Sequence, residues 1–247
     1  MTGVYKIADT IIRISSQYDE VHVMCHDYRV ADDATPDMLV ETTEADILRE
    51  REQSIAEREQ EGLPPYEFNP PYLETLAVYR KIASLMPARG VMLMHGSCIA
   101  VDGRGYFFIA ASGTGKSTHV RLWRQLFGDR ALMVNDDKPL IRVKSAEPLI
   151  YGTAWDGKHH LSTNTSVPLQ GICVLQRSAT NHIEPLTTEE AFAYLLQQTF
   201  RPDDPVAMIQ TMGLLSELAS KVKIYRLGCN MDSEAAVVAS RGMGIEN

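Results

Sequence analysis

The sequence predicts an α/β fold, a mixed sheet flanked by helices, and three observations carry that prediction. A short apolar run, Tyr106 to Ala111, breaks into a small-residue loop ending in Gly115-Lys116-Ser117-Thr118. Val120, Leu122, Trp123, Leu126 and Phe127 then follow at helical spacing up to Gly128. Strand, Gly-rich turn, lysine and hydroxyl, helix is the arrangement of a phosphate-binding P-loop. Third, a buried-type strand, Ala131 to Val134, ends in Asn135-Asp136-Asp137-Lys138-Pro139, the position at which carboxylates meet a nucleotide's metal. One letter departs from the general motif: Ala110 stands where it has its first glycine.

Taken in order, residues 5–14 and 21–25 are β-branched and partly alternating, and are expected as strands. Val21, Val23 and Cys25 would share one face, with His22, Met24 and His26 on the other. No third ligand of suitable spacing accompanies these histidines, so they are expected at the surface rather than on a metal. Residues 44–61 are dense in alternating charge, which reads as a solvated helix or a mobile insertion with only Ile47, Leu48, Ile55 and Ala56 available for burial. Gly62-Leu-Pro-Pro and Asn69-Pro-Pro mark a connector. Residues 72–86 form an amphipathic helix that Pro87 and Gly90 end.

Val91 to Met94 is a buried-strand run leading through His95 and Gly96 into Ser97 to Val101, and Asp102-Gly103 reads as the hairpin turn into the P-loop strand. Neighbouring strand residues face opposite ways. Asp136 and Asp137 therefore serve one site only if the strand has ended there, which Lys138-Pro139 favours. Residues 149–158 form a second small-residue segment, in which Gly152 and Gly157 permit close backbone approach and Trp155 and Lys158 are placed to touch a nucleotide or acceptor, and Asn164 and Thr165 follow in a polar loop. Gly171 to Arg177 reads as a strand with His182 to Pro185 as its partner. Thr187 to Glu190 is a capping box opening a helix to about Gln198. A helix over 206–222, a last strand over 223–229, and a helix capped by Asp232 and running to Ala239 complete the chain.

Composition narrows the function. Of 247 residues 45% are hydrophobic and 23% charged, as in globular proteins, and the net charge of −8 opposes nucleic-acid binding, which needs a basic footprint. No apolar stretch approaches the ~20 residues of a membrane span. The first residues lack the basic and apolar regions of a signal peptide. Cys25, Cys98, Cys173 and Cys229 are scattered with no C-x-x-C pair, which suggests reduced thiols in a cytoplasmic protein.

A P-loop by itself implies only nucleotide phosphate. Its backbone N–H groups and the positive end of the helix dipole converge on phosphate oxygens, Lys116 neutralises β/γ-phosphate charge, and the Ser117 hydroxyl ligates Mg²⁺. A GTPase would carry N-K-x-D, and none is present. What is unusual is His95 before the P-loop hairpin together with Asp136-Asp137. Phosphoryl transfer needs a group to orient or deprotonate the attacking hydroxyl and a metal to take up phosphate charge. Asp137 suits Mg²⁺, Asp136 the acceptor proton, and His95 a hydrogen bond that holds or tunes it. A second carboxylate and burial raise a carboxyl pKa while Mg²⁺ and Lys116 lower it, a balance the sequence leaves open.

At these residues the chain resembles the HPr kinase/phosphorylase group, whose P-loop fold is similar to the nucleotide domain of phosphoenolpyruvate carboxykinases. The matching pieces are His95-Gly96, Ser112-Gly113-Thr114-Gly115-Lys116-Ser117 and Val134-Asn135-Asp136-Asp137. They cover residues 91–140 closely and 140–230 in outline. The resemblance implies that His95 and Asp136 are an acid–base pair, that Ser117 and Asp137 handle the metal, and that Ser112 to Thr118 bind the phosphates of ATP. The pattern looks closest to small HPr-kinase-like proteins, some relatives of which phosphorylate a serine on a precursor peptide. Thr118 stands where HPr kinases carry Glu, and their following arginine-glycine segment is replaced by Trp155-Asp156-Gly157-Lys158. Carboxykinases, for their part, bring a separate substrate domain.

The expectation is therefore an N-terminal extension over 1–90 and a P-loop domain over 91–247. Its expected activity is ATP- and Mg²⁺-dependent phosphorylation of a hydroxyl on a peptide, protein or small molecule, with no nucleic-acid or membrane partner. Self-association is left open. A nucleotide-sensing interaction module is the alternative, and the charged 44–61 segment gives it some support.

Overall fold

The computed structural model describes residues 1–60, 62–157 and 160–245. They divide into two compact units, Met1–Leu85 and Met86–Asn247. No helix among the described residues is long and apolar enough to cross a membrane.

In the first unit, β1 (Thr2–Ile7) and β2 (Thr10–Ser15) form an antiparallel hairpin. The expected single strand over 5–14 is broken because Ala8 and Asp9 both take positive φ (46° and 56°), the left-handed turn that suits strand twist. Residues 21–25 are not a strand either. They belong to α1 (Glu20–Met24) and the 3-10 turn His26–Tyr28. Val21 and Cys25, four apart, are buried while Val23 is 68% exposed, so the burial period is helical. His26 is exposed as expected, whereas His22 is half-buried: its ring contacts the Tyr5 hydroxyl at 2.6 Å and Ser16 Oγ at 2.8 Å, and burial holds its pKa down.

β3 (Met38–Glu41) pairs parallel to β2. The charged segment is helix α2 (Glu44–Gln60), which packs on α3 (Pro70–Leu85). Of its four apolar candidates Ile47 is buried, whereas Leu48, Ile55 and Ala56 are exposed. Charge does the docking instead. Arg80 donates to both oxygens of the buried Glu50 at 2.8 and 2.9 Å, and Lys81 donates to Asp46 at 2.7 Å. The buried Glu74 carboxylate accepts from the backbone N–H groups of Gln17 and Tyr18 and from the Thr42 hydroxyl, so its charge is met by three donors.

The second unit comprises β4 (Val91–Leu93), β5 (Ser97–Val101), β6 (Arg104–Ile109), α4 (Lys116–Phe127), β7 (Ala131–Asn135), β8 (Leu140–Arg142), β9 (Leu149–Tyr151), β10 (Ser166–Arg177), β11 (His182–Pro185), α5 (Thr188–Gln198), α6 (Pro205–Lys221), β12 (Lys223–Cys229) and α7 (Glu234–Gly242). Among the described residues its strands form a nine-stranded mixed sheet of order β4-β8-β9-β10-β6-β5-β7, with β12 also on β10 and β11 outside β12. β6 and β10 are buried on both faces. Phe107, Ile109, Ile172 and Val174 enter the core under α5 and α6, while Tyr106, Phe108, Cys173 and Leu175 enter the core under α4 and α7. Two helical layers on one sheet follow from that alternation, and the α/β expectation holds.

The β5–β6 turn places Asp102 and Gly103 at φ of 50° and 76°, as expected of the hairpin. β11 does not pair with β10, whose edges are taken by parallel β6 and β12; it lies antiparallel on β12. The Thr187–Glu190 capping box forms as expected. Asp232 does not cap α7 with its side chain: its carboxylate takes Asn230 Nδ2 at 2.8 Å, and the helix runs to Gly242.

Candidate functional site

The P-loop is built by what its neighbours leave open. β6 ends at Ile109, and Ala110 is buried with an ordinary backbone, so the missing glycine brings no strain. Its carbonyl accepts from Lys116 Nζ at 3.0 Å. Gly113 (φ 72°) and Gly115 (φ 117°) supply the left-handed turns; a Cβ at either would meet open space, so backbone hand is what they contribute. α4 then begins at Lys116, and the N–H groups of its first turn have no intrahelical acceptor. With the helix dipole behind them, such free N–H groups are suited to meet an anion. Ser112 lies exposed at the tip and Thr118 is half-buried below it. Burial lowers the Lys116 pKa, and the charge of Asp137 acts the other way.

The second half of the site is the turn after β7. Asn135 is fully buried, and its Oδ1 accepts from the backbone N–H groups of Asp137 (2.9 Å) and Lys138 (2.7 Å), which bends the chain as soon as the strand ends. Its Nδ2 lies within 3.1–3.3 Å of the Thr153 carbonyl and hydroxyl, the Trp155 carbonyl and the Ser162 hydroxyl. Thr153 Oγ1 in turn donates to the Lys138 carbonyl at 2.9 Å. One side chain thus ties the Asp-Asp turn to the 153–162 segment.

His95 is not on a strand; it lies in the link between β4 and β5. The link is strapped to the turn, with Gly96 N–H donating to the Asp137 carbonyl (3.0 Å) and Ser97 Oγ to the Asp136 carbonyl (3.1 Å). His95 Nδ1 meets Asp137 Oδ1 at 2.9 Å, and the Lys138 ammonium bonds Asp137 Oδ2. Burial pushes the Asp137 carboxyl up, but His95 and Lys138 outweigh it and bring it down to about 2. The family resemblance sets His95 beside Asp136, whereas the structure joins it to Asp137. Asp136 is turned the other way, where its Oδ1 accepts from Gly157 N–H at 2.6 Å. A Cβ on Gly157 would stand 2.7 Å from that carboxylate.

Of the clefts bordering the P-loop among the described residues, two are lined by residues of α4. One, of about 580 Å³, brings Ser117 and Thr118 together with Asp136, Arg121 and Arg124. The other, of about 480 Å³, runs from Gly113–Gly115 past Arg177 to Asn230 and Met231. Arg177 donates to the Gly113 carbonyl at 2.7 Å. His119 borders the second cleft and is 3% exposed; its Nε2 accepts from Trp123 Nε1 at 3.0 Å, and burial takes its pKa to about 4. Trp155 is buried in the segment that Asn135 holds, and Lys158 lies outside the described residues. Sequence reasoning missed Arg177 and gave Asn135 no role of its own, although a polar residue at the end of an apolar strand is a signal. Gly157, expected to permit close backbone approach, stands against the Asp136 carboxylate. Among the described residues no group of three or more His, Cys, Asp or Glu is placed to hold a metal ion.

The sequence profile of the family described as "ScmC: SynChlorMet cassette protein ScmC" matches residues 72–234. No curated protein matches the chain. Among solved structures the chain is similar to the Hpr(Ser) kinase/phosphatase from Coxiella burnetii, with 7% identity, 61% of this chain and 95% of that chain covered, and a TM-score of 0.35.

Proposed function

The chain belongs to the SynChlorMet cassette protein ScmC family, and we propose that it is an ATP- and Mg²⁺-dependent kinase that phosphorylates a hydroxyl, a serine of a peptide or small protein. The observation that carries this reading is the Asp136-Asp137 turn beside the P-loop: Asp136 shares a cleft with Ser117 and Thr118, while Asp137, held by His95, acts on the charge of Lys116. A histidine held on a carboxylate next to the Asp136 turn favours this reading over a nucleotide-binding module that performs no chemistry.

In this reading the P-loop and the first turn of α4 bind phosphate oxygens through backbone N–H groups, and Lys116 adds a charge that burial keeps poorly solvated and available. Mg²⁺ keeps several waters and asks for only one or two carboxylates, so the Ser117 hydroxyl and the Asp136 carboxylate, which share a cleft, are the residues suited to hold it. When bound, the ion neutralises charge on the β- and γ-phosphate oxygens. Asp137 is already engaged by His95 and Lys138, so the metal role expected of it passes to Asp136.

The proton of the acceptor hydroxyl goes to His95. With Nδ1 donating to an ionised Asp137, Nε2 is an acceptor of fixed orientation, and a carboxylate near pKa 2 stays charged to hold it. The hydroxyl oxygen bonds to the γ-phosphorus as the bond from phosphorus to the β,γ-bridging oxygen breaks, and that electron pair leaves with ADP. The test is transfer from γ-labelled ATP to a panel of peptide, protein and small-molecule hydroxyls, with mass spectrometry of the product. Serine phosphorylation that Lys116→Ala removes is expected. Nucleotide binding without transfer to any acceptor would overturn the kinase reading.

A further inference from the structure

Resting on the kinase reading, we infer that the acceptor is an acidic peptide segment, held along α4 by Arg121 and Arg124 so that its serine lies at the P-loop rim. Ser117, Arg121 and Arg124 are spaced four and three residues apart, which puts them in one stripe down a single face of α4. From the rise of a helix, the two arginines stand ~6 and ~10 Å below Ser117 along the axis. Both line the same cleft as Ser117 and Asp136, and both are exposed.

Neither guanidinium has an ion-pair or hydrogen-bond partner among the described residues. Arg104 and Arg130, exposed in the same unit, are by contrast tied to Glu147 and Asp102, and of the arginines among the described residues only Arg121 and Arg124 line the cleft with Ser117 and Asp136. Two like charges three residues apart on a helix repel each other. Here they do so in a chain of net charge −8, where carboxylates are plentiful. The nucleotide's base and sugar have room along Gly113–Gly115 and Arg177, which leaves the α4 side of the cleft, beyond Ser117 and Asp136, to the acceptor. Its floor includes Val120, Met133 and Leu161, apolar surface for the stems of side chains.

The spacing selects the class of acceptor. Two cations staggered along a helix match anions staggered along an extended chain, which advances ~3.3 Å per residue. The serine would then carry carboxylates two and three positions away. Arginine also suits carboxylate because its fork takes both oxygens.

The test uses the full chain and fluorescein-labelled serine peptides with Asp and Glu at the second and third positions from the serine, against the same peptides with Asn and Gln there. Anisotropy reads peptide binding, labelled ATP reads transfer, and calorimetry reads ATP binding. The acidic peptides are expected to bind about tenfold more tightly, a preference that added salt weakens. Arg121→Gln with Arg124→Gln is expected to remove the preference while ATP affinity and melting temperature stay unchanged. Equal binding of both peptide sets, a preference that survives the double substitution, or a double variant that loses ATP instead, would each overturn the inference. The two readings fail separately. If phosphate moves equally to acidic and neutral peptides, the kinase stands and the acidic subsite falls. If no nucleotide binds and no phosphate moves while the arginines still select acidic peptides, the subsite stands and the kinase falls.

Discussion

The 2.9 Å contact between His95 Nδ1 and Asp137 Oδ1 joins the β4–β5 link to the turn after β7, two segments about 40 residues apart in the chain. In the proposed kinase reading the histidine takes the acceptor proton and the carboxylate holds the ring. His95→Gln is expected to lower transfer by ~10²–10⁴-fold with ATP affinity unchanged. Asp137→Asn should do the same through misorientation, and stopped assays beside ATP titrations check both.

The same contact sets an acid limb of stability. Asp137 is depressed from 3.8 to about 2, so its contribution is fully present above pH 4 and is lost as pH falls through about 2. The contribution is of order 2 kcal/mol. Acid denaturation of wild type against Asp137→Asn should show that component missing in the variant. A wild-type loss confined to pH above 5 would contradict it.

Lys116 bonds the Ala110 carbonyl while burial lowers its pKa, so in the nucleotide-free chain its charge is underused. Lys116→Ala should weaken ATP binding ~10–100-fold, the worth of a charge-assisted contact. It should leave the melting temperature unchanged or slightly raised, since a poorly solvated cation is removed. Calorimetry and a thermal melt on the same samples separate the two effects. Equal affinity would count against the P-loop assignment.

Gly157 is defined by closeness to Asp136. A methyl group there would stand 2.7–2.9 Å from the carboxylate atoms, so Gly157→Ala must move the acid or the segment. A displacement near 1 Å is expected to lower transfer by ~10²-fold. Secondary structure should be retained, because no core side chain is touched. Mg²⁺ dependence of the residual rate reports whether Asp136 is the group displaced.

How much of this was legible follows from the range of each interaction. The strand, glycine turn and helix over 104–127, the β5–β6 turn and the Thr187 capping box are local patterns, and the sequence carries them whole. The alternation of Tyr106, Phe107, Phe108 and Ile109 between two cores was readable as a buried strand for the same reason. What failed was long-range or period-ambiguous. Val21, Val23 and Cys25 fit a strand's alternation, but Val21 and Cys25 fit a helix's as well, and tertiary packing chose the helix. The docking of α2 through Glu50 and Arg80 was hidden because charge is ordinarily solvated. The Asp that His95 meets was decided by the Asn135 turn and the Gly157 N–H, neither of which spacing reveals.

Asn135 is the residue on which these choices converge, and it gives the sharpest separation of structure from chemistry. Its side chain accepts from two backbone N–H groups and offers its amide to four oxygens, with no exposed surface. Asn135→Ala leaves those groups buried and under-satisfied, which should cost ~2–4 kcal/mol. At this chain length that lowers the melting temperature by roughly 4–16 °C. Asn135→Asp keeps the two accepting contacts but turns the amide's donors into a second anion facing carbonyl oxygens. It should be no less destabilising despite its similar shape. In both variants the 136–138 turn loosens, so transfer should fall further than the unfolded fraction explains when assayed well below the melting point. Activity restored in full by cooling would mean that Asn135 serves stability alone and that the geometry of Asp136 and Asp137 is set elsewhere.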